Sequence, residues 1–296
     1  MHDTYDIGLV FTRSRSAAVA EGNNMSNSHA SGPPSSEVRW PFPPLHKPPP
    51  RLWSIASTAA IAAVGGLSKL WIEWVNQTTV FNRHLLESAV LDRPQGTPLI
   101  TVANHHSCLD DPILWGLLKW KALLRGRSTI RYTAGAADIC FTTDLHARFF
   151  AYGQTVPVVR GKGVYQPGMD YLLQILNQGG WVHTFPEGKV NMEKKPMRLK
   201  WGVGRWIAEC NTEPIVLPFW HEGMDSILPN EKPYIPRIGK KVTLLIGEPL
   251  DFTELRKNRS KISPMSLRKQ ITDRIQQEFL HLQDKTQALH NERLRS

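Results

Sequence analysis

The sequence predicts an α/β fold, a mixed β-sheet flanked by helices within one domain. Two patterns carry that expectation. Residues 99–103, 130–134, 181–184 and 242–246 are short, apolar and rich in β-branched side chains, as buried strands are. Before and among them, residues 78–91 and 166–176 repeat apolar side chains at helical spacing, and Gly179-Gly180 ends the second. Alternation of the two periods argues for helices layered on a sheet. Over 296 residues nothing repeats at a solenoid period, and the length suits one substantial core.

In chain order, residues 1–39 are rich in Ser, Asn, Ala and Pro and hold no apolar run of signal-peptide length, so a disordered extension is expected. Asp3, Asp6 and Glu21 argue against a presequence there, despite Arg13 and Arg15. A Pro-rich stretch from Pro41 to Pro50 leads to the uncharged residues 52–68, bounded by Arg51 and Lys69 and flanked by Trp53, Trp71 and Trp74. Tryptophans and cations at the edges of an apolar segment mark a membrane interface. The segment is short for a bilayer span and heavy in Ala, Gly, Ser and Thr. Residues 40–75 are therefore expected to form a Pro-rich segment and an interfacial or re-entrant membrane helix. Residues 76–262 make the domain proper. Over 263–296, Ser263-Pro264 opens an amphipathic helix whose Leu267, Ile271, Ile275, Phe279 and Leu282 share one face, expected to pack on the domain.

The run 99–103 follows the turn-forming residues 93–98 and leads straight into Asn104-His105-His106-Ser107-Cys108-Leu109-Asp110. Pro112, Ile113, Leu114, Leu117 and Leu118 mark a helix starting close to Asp110, so the chain folds back between His105 and Asp110. Across such a turn a carboxylate accepts the Nδ1 proton of the imidazole and leaves Nε2 to take a proton from a hydroxyl. Other roles compete for the same residues. Ser107-x-x-Asp110 also reads as a capping box, and His106 with Asp111 repeats the spacing in a second register. Two His and two Asp suggest a metal as well, but no further ligand cluster follows, and no metal is expected. Ser107 lacks the Gly-x-Ser-x-Gly setting of a nucleophile.

A second signal lies at Trp181-Val182-His183-Thr184-Phe185-Pro186-Glu187-Gly188, a buried strand running into a turn that holds a carboxylate at the strand's end. Asn-His-x-Ser-x-x-Asp followed by Phe-Pro-Glu-Gly resembles the motif pair of the glycerophospholipid acyltransferase superfamily. Residues 156–161, Val-Pro-Val-Val-Arg-Gly, are similar to its second block, and residues 214–218, Pro-Ile-Val-Leu-Pro, to its fourth. The resemblance runs from Trp40 to about His290. It implies an acyltransferase domain with His105 and Asp110 catalytic, Glu187 and Gly188 shaping acceptor binding and Pro218 the cleft wall. Arg160 would hold the lipid phosphate or the developing oxyanion. A surface salt bridge for Arg160 and a turn hydrogen bond for Glu187 are the structural alternatives.

Within the superfamily, longer phrases are similar to the branch of mitochondrial phospholipid–lysophospholipid transacylases: Trp40-Pro41-Phe42-Pro43, Ala136-Ala137-Asp138-Ile139-Cys140-Phe141, Gly188-Lys189-Val190-Asn191-Met192 and Lys200-Trp201-Gly202. That branch implies cardiolipin remodelling, with acyl chains passed from phosphatidylcholine or a similar lipid to monolysocardiolipin, without coenzyme A and with no cofactor. It implies mitochondrial membranes facing the intermembrane space, at the outer leaflet of the inner membrane and the inner leaflet of the outer. One departure carries chemistry: Lys189 and Val190 follow Gly188, where the superfamily usually continues Thr-Arg. A guanidinium fork suits a dianionic phosphate monoester, and its loss fits a lysophospholipid whose phosphate carries one charge.

The net charge of +10 suits anionic lipid headgroups or nucleic acid. The cations are scattered, with no reader fold or aromatic-lined basic stripe, so no nucleic-acid partner is expected. Cys108, Cys140 and Cys210 have no paired spacing for a disulfide framework or a zinc motif. Assembly into homo-oligomers or larger complexes stays open. The competing functions are an acyl-coenzyme A-dependent lysophospholipid acyltransferase, a non-catalytic lipid-binding scaffold and a metal-dependent hydrolase.

Overall fold

The computed structural model describes residues 38–232 and 234–296. Apart from its last two residues, the extension expected over 1–39 lies outside the described residues. Seven strands, β1 (Gln77–Phe81), β2 (Leu99–Ala103), β3 (Tyr132–Ala136), β4 (Thr155–Val158), β5 (Trp181–Thr184), β6 (Ile215–Glu222) and β7 (Lys241–Ile246), form one sheet in the order β1-β7-β6-β2-β5-β3-β4. Every neighbouring pair is parallel except the antiparallel β6 and β7, so the sheet is mixed. Strands β2 to β6 all end at one edge.

The helices are α1 (Arg51–Leu70), α2 (Arg83–Leu91), α3 (Asp110–Leu114), α4 (Trp120–Leu124), α5 (Ala137–Cys140), α6 (Asp144–Tyr152), α7 (Pro167–Asn177), α8 (Gly202–Glu209), α9 (Met224–Ile227), α10 (Thr253–Lys257) and α11 (Pro264–Arg295). They cover both faces. Ile100, Val102, Val182, Val216 and Trp220 point into one core with Trp206 of α8 and Phe279 of α11. Their strand neighbours Leu99, Ala103, Trp181, Leu217 and Phe219 point into the other, with Ile61 of α1 and Trp115 and Leu117 after α3. This is the two-residue alternation of a sheet buried on both sides, and β2 at its centre is buried at every position.

Residues 77–81 are a strand where helical spacing predicts the start of a helix. Thr78, Thr79 and Val80 are β-branched and pair with β7, and Asn82, at φ 56°, turns the chain before α2 begins at Arg83. The expected C-terminal helix is α11, capped by Ser263, whose hydroxyl accepts the Ser266 N–H at 3.2 Å. Leu267, Ile271, Ile275, Phe279 and Leu282 are all buried against the domain. A Cβ on Gly204 of α8 would stand 2.5 Å from the Arg268 carbonyl oxygen, so this glycine sets how closely α8 and α11 cross.

Helix α1 continues as one wide turn through Val75 and is long and apolar enough to cross a membrane by length and composition. It is built inside out. Ser57, Ile61, Gly65, Ser68 and Lys69 face the protein, and the Lys69 ammonium donates to Glu73 at 2.7 Å and to the Leu118 carbonyl at 2.9 Å. Leu52, Ile55, Leu67, Leu70 and Trp74 face outward. Of the three tryptophans expected to flank a membrane segment, only Trp74 is exposed, at 81%. Trp53 is turned inward, its ring 4.8 Å from that of Tyr152, and Trp71 packs on the core beneath α1. Helical rotation explains both: each lies toward the face that carries Ser57 and Ser68.

Candidate active site

The site stands where β2 and β5 end. His105 leaves β2, and its Nδ1–H donates to Asp110 Oδ2 at 2.9 Å. The same oxygen accepts the backbone N–H groups of His106 at 2.7 Å and Ser107 at 2.9 Å, so Asp110 fastens the turn and orients the imidazole at once. The imidazole stacks on Phe185, with centroids 4.2 Å apart at 17°, and its side chain is 19% exposed. With Nδ1 engaged, Nε2 is the nitrogen left for an incoming group.

The two registers separate. Asp111 pairs with the buried guanidinium of Arg131, and His106 turns into the interior, its Nδ1 4.0 Å from Glu222. Burial, followed by the charge of His221, drops the His106 pKa to about 3, which keeps it neutral. Ser107 is fully buried. Among the described residues no group of three or more His, Cys, Asp or Glu is arranged to hold a metal.

Glu187 is buried, and its Oε1 accepts the backbone N–H of His105 at 3.1 Å. From the same loop, Asn191 N–H donates to the His105 carbonyl at 2.6 Å. The exit of β5 thus grips both backbone groups of His105. Among the described residues Glu187 Oε2 has no hydrogen-bond partner, and burial raises the carboxyl above its usual range. Gly188 closes this turn at φ +75°, a conformation that strains any side chain.

Two expected site residues are not brought here. Arg160 leaves the edge strand β4, three strands from β2, about 14 Å across the sheet. It makes a 3.4 Å surface ion pair with Asp138 instead. Pro218 lies inside β6, paired with Val102 and packed beside Gly247 below the cleft. Its missing N–H falls where β7 leaves the sheet, and its carbonyl accepts the Gly247 N–H at 2.8 Å.

His221 is the residue that sequence reading missed. Its Nε2 donates to the Asn104 carbonyl at 2.9 Å and lies 3.4 Å from Asp110 Oδ2. Asn104 exchanges two amide bonds with the His221 backbone, at 2.9 and 2.8 Å, locking the end of β2 to β6. Burial opposes charge on His221, but Asp110 outweighs it and pushes the imidazole above its ordinary value. In return, although burial would raise the Asp110 carboxyl, the field of His221 and the hydrogen bond from His105 hold it well below the usual carboxylate range. The only signal in the sequence was Trp220-His221-Glu222, one residue beyond the fourth block.

An imidazole oriented by an ionised carboxylate, open on its other nitrogen, is a general base able to deprotonate a hydroxyl or an amine. Residues 86–222, which run from α2 to the end of β6, match the family model described as Acyltransferase. The chain is 39% identical over 207 residues to the N-acylphosphatidylethanolamine synthase of Arabidopsis thaliana, covering 68% of this chain and 72% of that one. It is 37% identical over 196 residues to taffazin of Dictyostelium discoideum, covering 65% and 68%. Against tafazzin of Drosophila melanogaster the identity is 46% over 258 residues, 86% of this chain and 68% of that protein. Likeness of that degree over most of both sequences shows descent, and the chain belongs to the tafazzin family of acyltransferases.

Proposed function

We propose that the chain is a phospholipid–lysophospholipid transacylase that remodels cardiolipin, moving an acyl chain from phosphatidylcholine or a similar lipid to the free hydroxyl of monolysocardiolipin. The observation that carries this reading is the 2.9 Å bond between His105 and a fully buried Asp110 at the open edge of the sheet. His105 Nε2 takes the proton of the acceptor hydroxyl as its oxygen attacks the donor's ester carbonyl, and Asp110 stabilises the imidazolium. When the tetrahedral adduct collapses, the bond to the donor glycerol oxygen breaks. The imidazolium returns its proton to that oxygen, so His105 ends as it began and the transfer runs both ways. A thioester donor would release a thiolate that needs no proton, which keeps the acyl-coenzyme A-dependent reaction as an outcome to be tested.

The reading places α1 in one leaflet, with its Leu52 to Trp74 stripe against the acyl chains. Kinship with the tafazzins supports mitochondrial membranes, and the reading adds the face toward the intermembrane space. A second reading, acyl transfer to the amine of phosphatidylethanolamine, is favoured by the Arabidopsis relative, since an amine acceptor needs the same base.

The test uses purified protein in vesicles of labelled phosphatidylcholine, monolysocardiolipin and phosphatidylethanolamine, without coenzyme A. Label should appear in tetra-acyl cardiolipin and fall by roughly a thousandfold or more in His105→Ala. Label on the phosphatidylethanolamine nitrogen would select the second reading. Transfer only after an acyl-coenzyme A is added would make the chain an ordinary acyltransferase.

A further inference from the structure

The surface beside α1 carries a feature that the acyl-transfer reading does not use. Helix α4 and the turn after it, residues 119–127, read Lys-Trp-Lys-Ala-Leu-Leu-Arg-Gly-Arg, and no acidic residue lies between Asp111 and Asp138. Ala122 and Leu123 are buried, and a Cβ on Gly65 of α1 would stand 2.6 Å from Leu123. On the other side of α4, Trp120 is 48% and Leu124 70% exposed. The Trp120 ring lies 3.7 Å from where a Cβ of Gly66 would be, one position before the exposed Leu67. The apolar stripe of α1 therefore extends onto α4. Lys119, Lys121 and Arg125 are all exposed around it. Lys119 reaches Glu87 at 2.8 Å, whereas Lys121 and Arg125 are set among apolar side chains with no acid in their own segment.

We infer that residues 119–127 form a docking surface for an anionic lipid leaflet, separate from the catalytic cleft, with Trp120 and Leu124 entering the interface and Lys121 and Arg125 meeting the headgroup charge. The inference rests on the proposed membrane placement of α1 only for the position of the bilayer. An exposed tryptophan between lysines is the chemistry of an interfacial anchor. Cations held within a Debye length of a negatively charged leaflet add affinity that neutral lipid cannot supply. The surface makes binding and orientation depend on leaflet charge, whereas the α1 stripe alone is indifferent to it.

The experiment measures binding of the full chain to phosphatidylcholine vesicles and to vesicles of phosphatidylcholine with one-fifth phosphatidylglycerol, an anionic lipid unrelated to the proposed acceptor. The wild-type preference for anionic vesicles should drop at least tenfold in Lys121→Gln/Arg125→Gln, and further in Lys121→Glu/Arg125→Glu, with binding to neutral vesicles unchanged. Trp120→Ala should weaken both equally. Thermal melts check folding, and all three side chains are exposed enough to change without disturbing the core. An unaltered anionic preference in both charge variants overturns the inference and leaves the patch to an acidic protein partner. If the wild type fails to bind neutral vesicles, the membrane role of α1 falls, while the charge variants still decide the role of α4 on anionic ones.

Discussion

Asp110 and His105 share a hydrogen bond but not a structural burden, and substitutions should separate them. The carboxylate accepts two backbone N–H groups as well as the imidazole, so Asp110→Ala leaves buried donors unpaired and is expected to cost about 2–4 kcal/mol of stability in addition to activity. His105→Ala removes only a partly exposed, stacked ring; it should abolish acyl transfer and leave the melting temperature close to wild type. Equal melting temperatures for the two variants would sink the dual role of Asp110. Glu187 holds the His105 backbone through its N–H at 3.1 Å. Glu187→Ala should therefore lower kcat by roughly tenfold to a hundredfold, with KM nearly unchanged, as expected when a catalytic group is mispositioned. A rise in KM at constant kcat would return Glu187 to substrate binding. The dyad was legible because both partners lie in one turn, where spacing alone limits geometry. His221 was not, since it bonds to Asn104 across 117 positions and only the order β6-β2-β5 brings it there.

At the scale of elements, period and composition located what local chemistry decides. Strand β2, helix α7 and the capped start of α11 were readable because burial on both faces, a Gly-Gly stop and a Ser-Pro start each have a local cause. Strand β1 was hidden by the apolar spacing that runs on from it into α2, although its β-branched residues carried the signal. The placement of Trp53 and Trp71 depends on how α1 is rotated against its neighbours, and flanking position does not encode that. Small residues where elements cross were equally silent in the sequence. Gly204 is the sharpest case, because an added methyl would meet the Arg268 carbonyl at 2.5 Å and the Thr272 hydroxyl at 2.6 Å. Gly204→Ala should push α11 off α8 and destabilise by about 1–3 kcal/mol, despite the gain in helix propensity. Chemical denaturation checks this, and a stabilised variant would show that the crossing is loose.

For the whole molecule, the α/β class followed from alternation, but strand order did not, because nothing local says that β5 inserts between β2 and β3. That order gathers His105, His106, His183 and His221 around one carboxylate, and the cluster sets how stability depends on pH. His106 and His183 are held neutral by burial, the first down to about 3 and the second well below its ordinary value. Thr101 accepts from the Trp181 indole at 2.8 Å, and its hydroxyl stands 2.8 Å from His183 Nδ1, where a neutral ring can accept its proton. Unfolded imidazoles bind protons near pH 6.5, so below that pH the unfolded chain takes up two protons that the folded chain refuses, and stability falls with pH at up to about 2.7 kcal/mol per unit. His221 acts in the opposite sense. Its raised value adds stability that is complete below about pH 6.5 and lost as pH rises through the folded value. Asp110, held low, withdraws its contribution only in stronger acid, as pH falls through its folded value. Equilibrium unfolding at pH 7.0, 5.5 and 4.5 should therefore show a steady loss on the acid side, with a slope reduced by roughly half in His106→Gln. A wild-type protein equally stable at pH 7.0 and 4.5 would mean that these buried rings are not kept neutral by the fold.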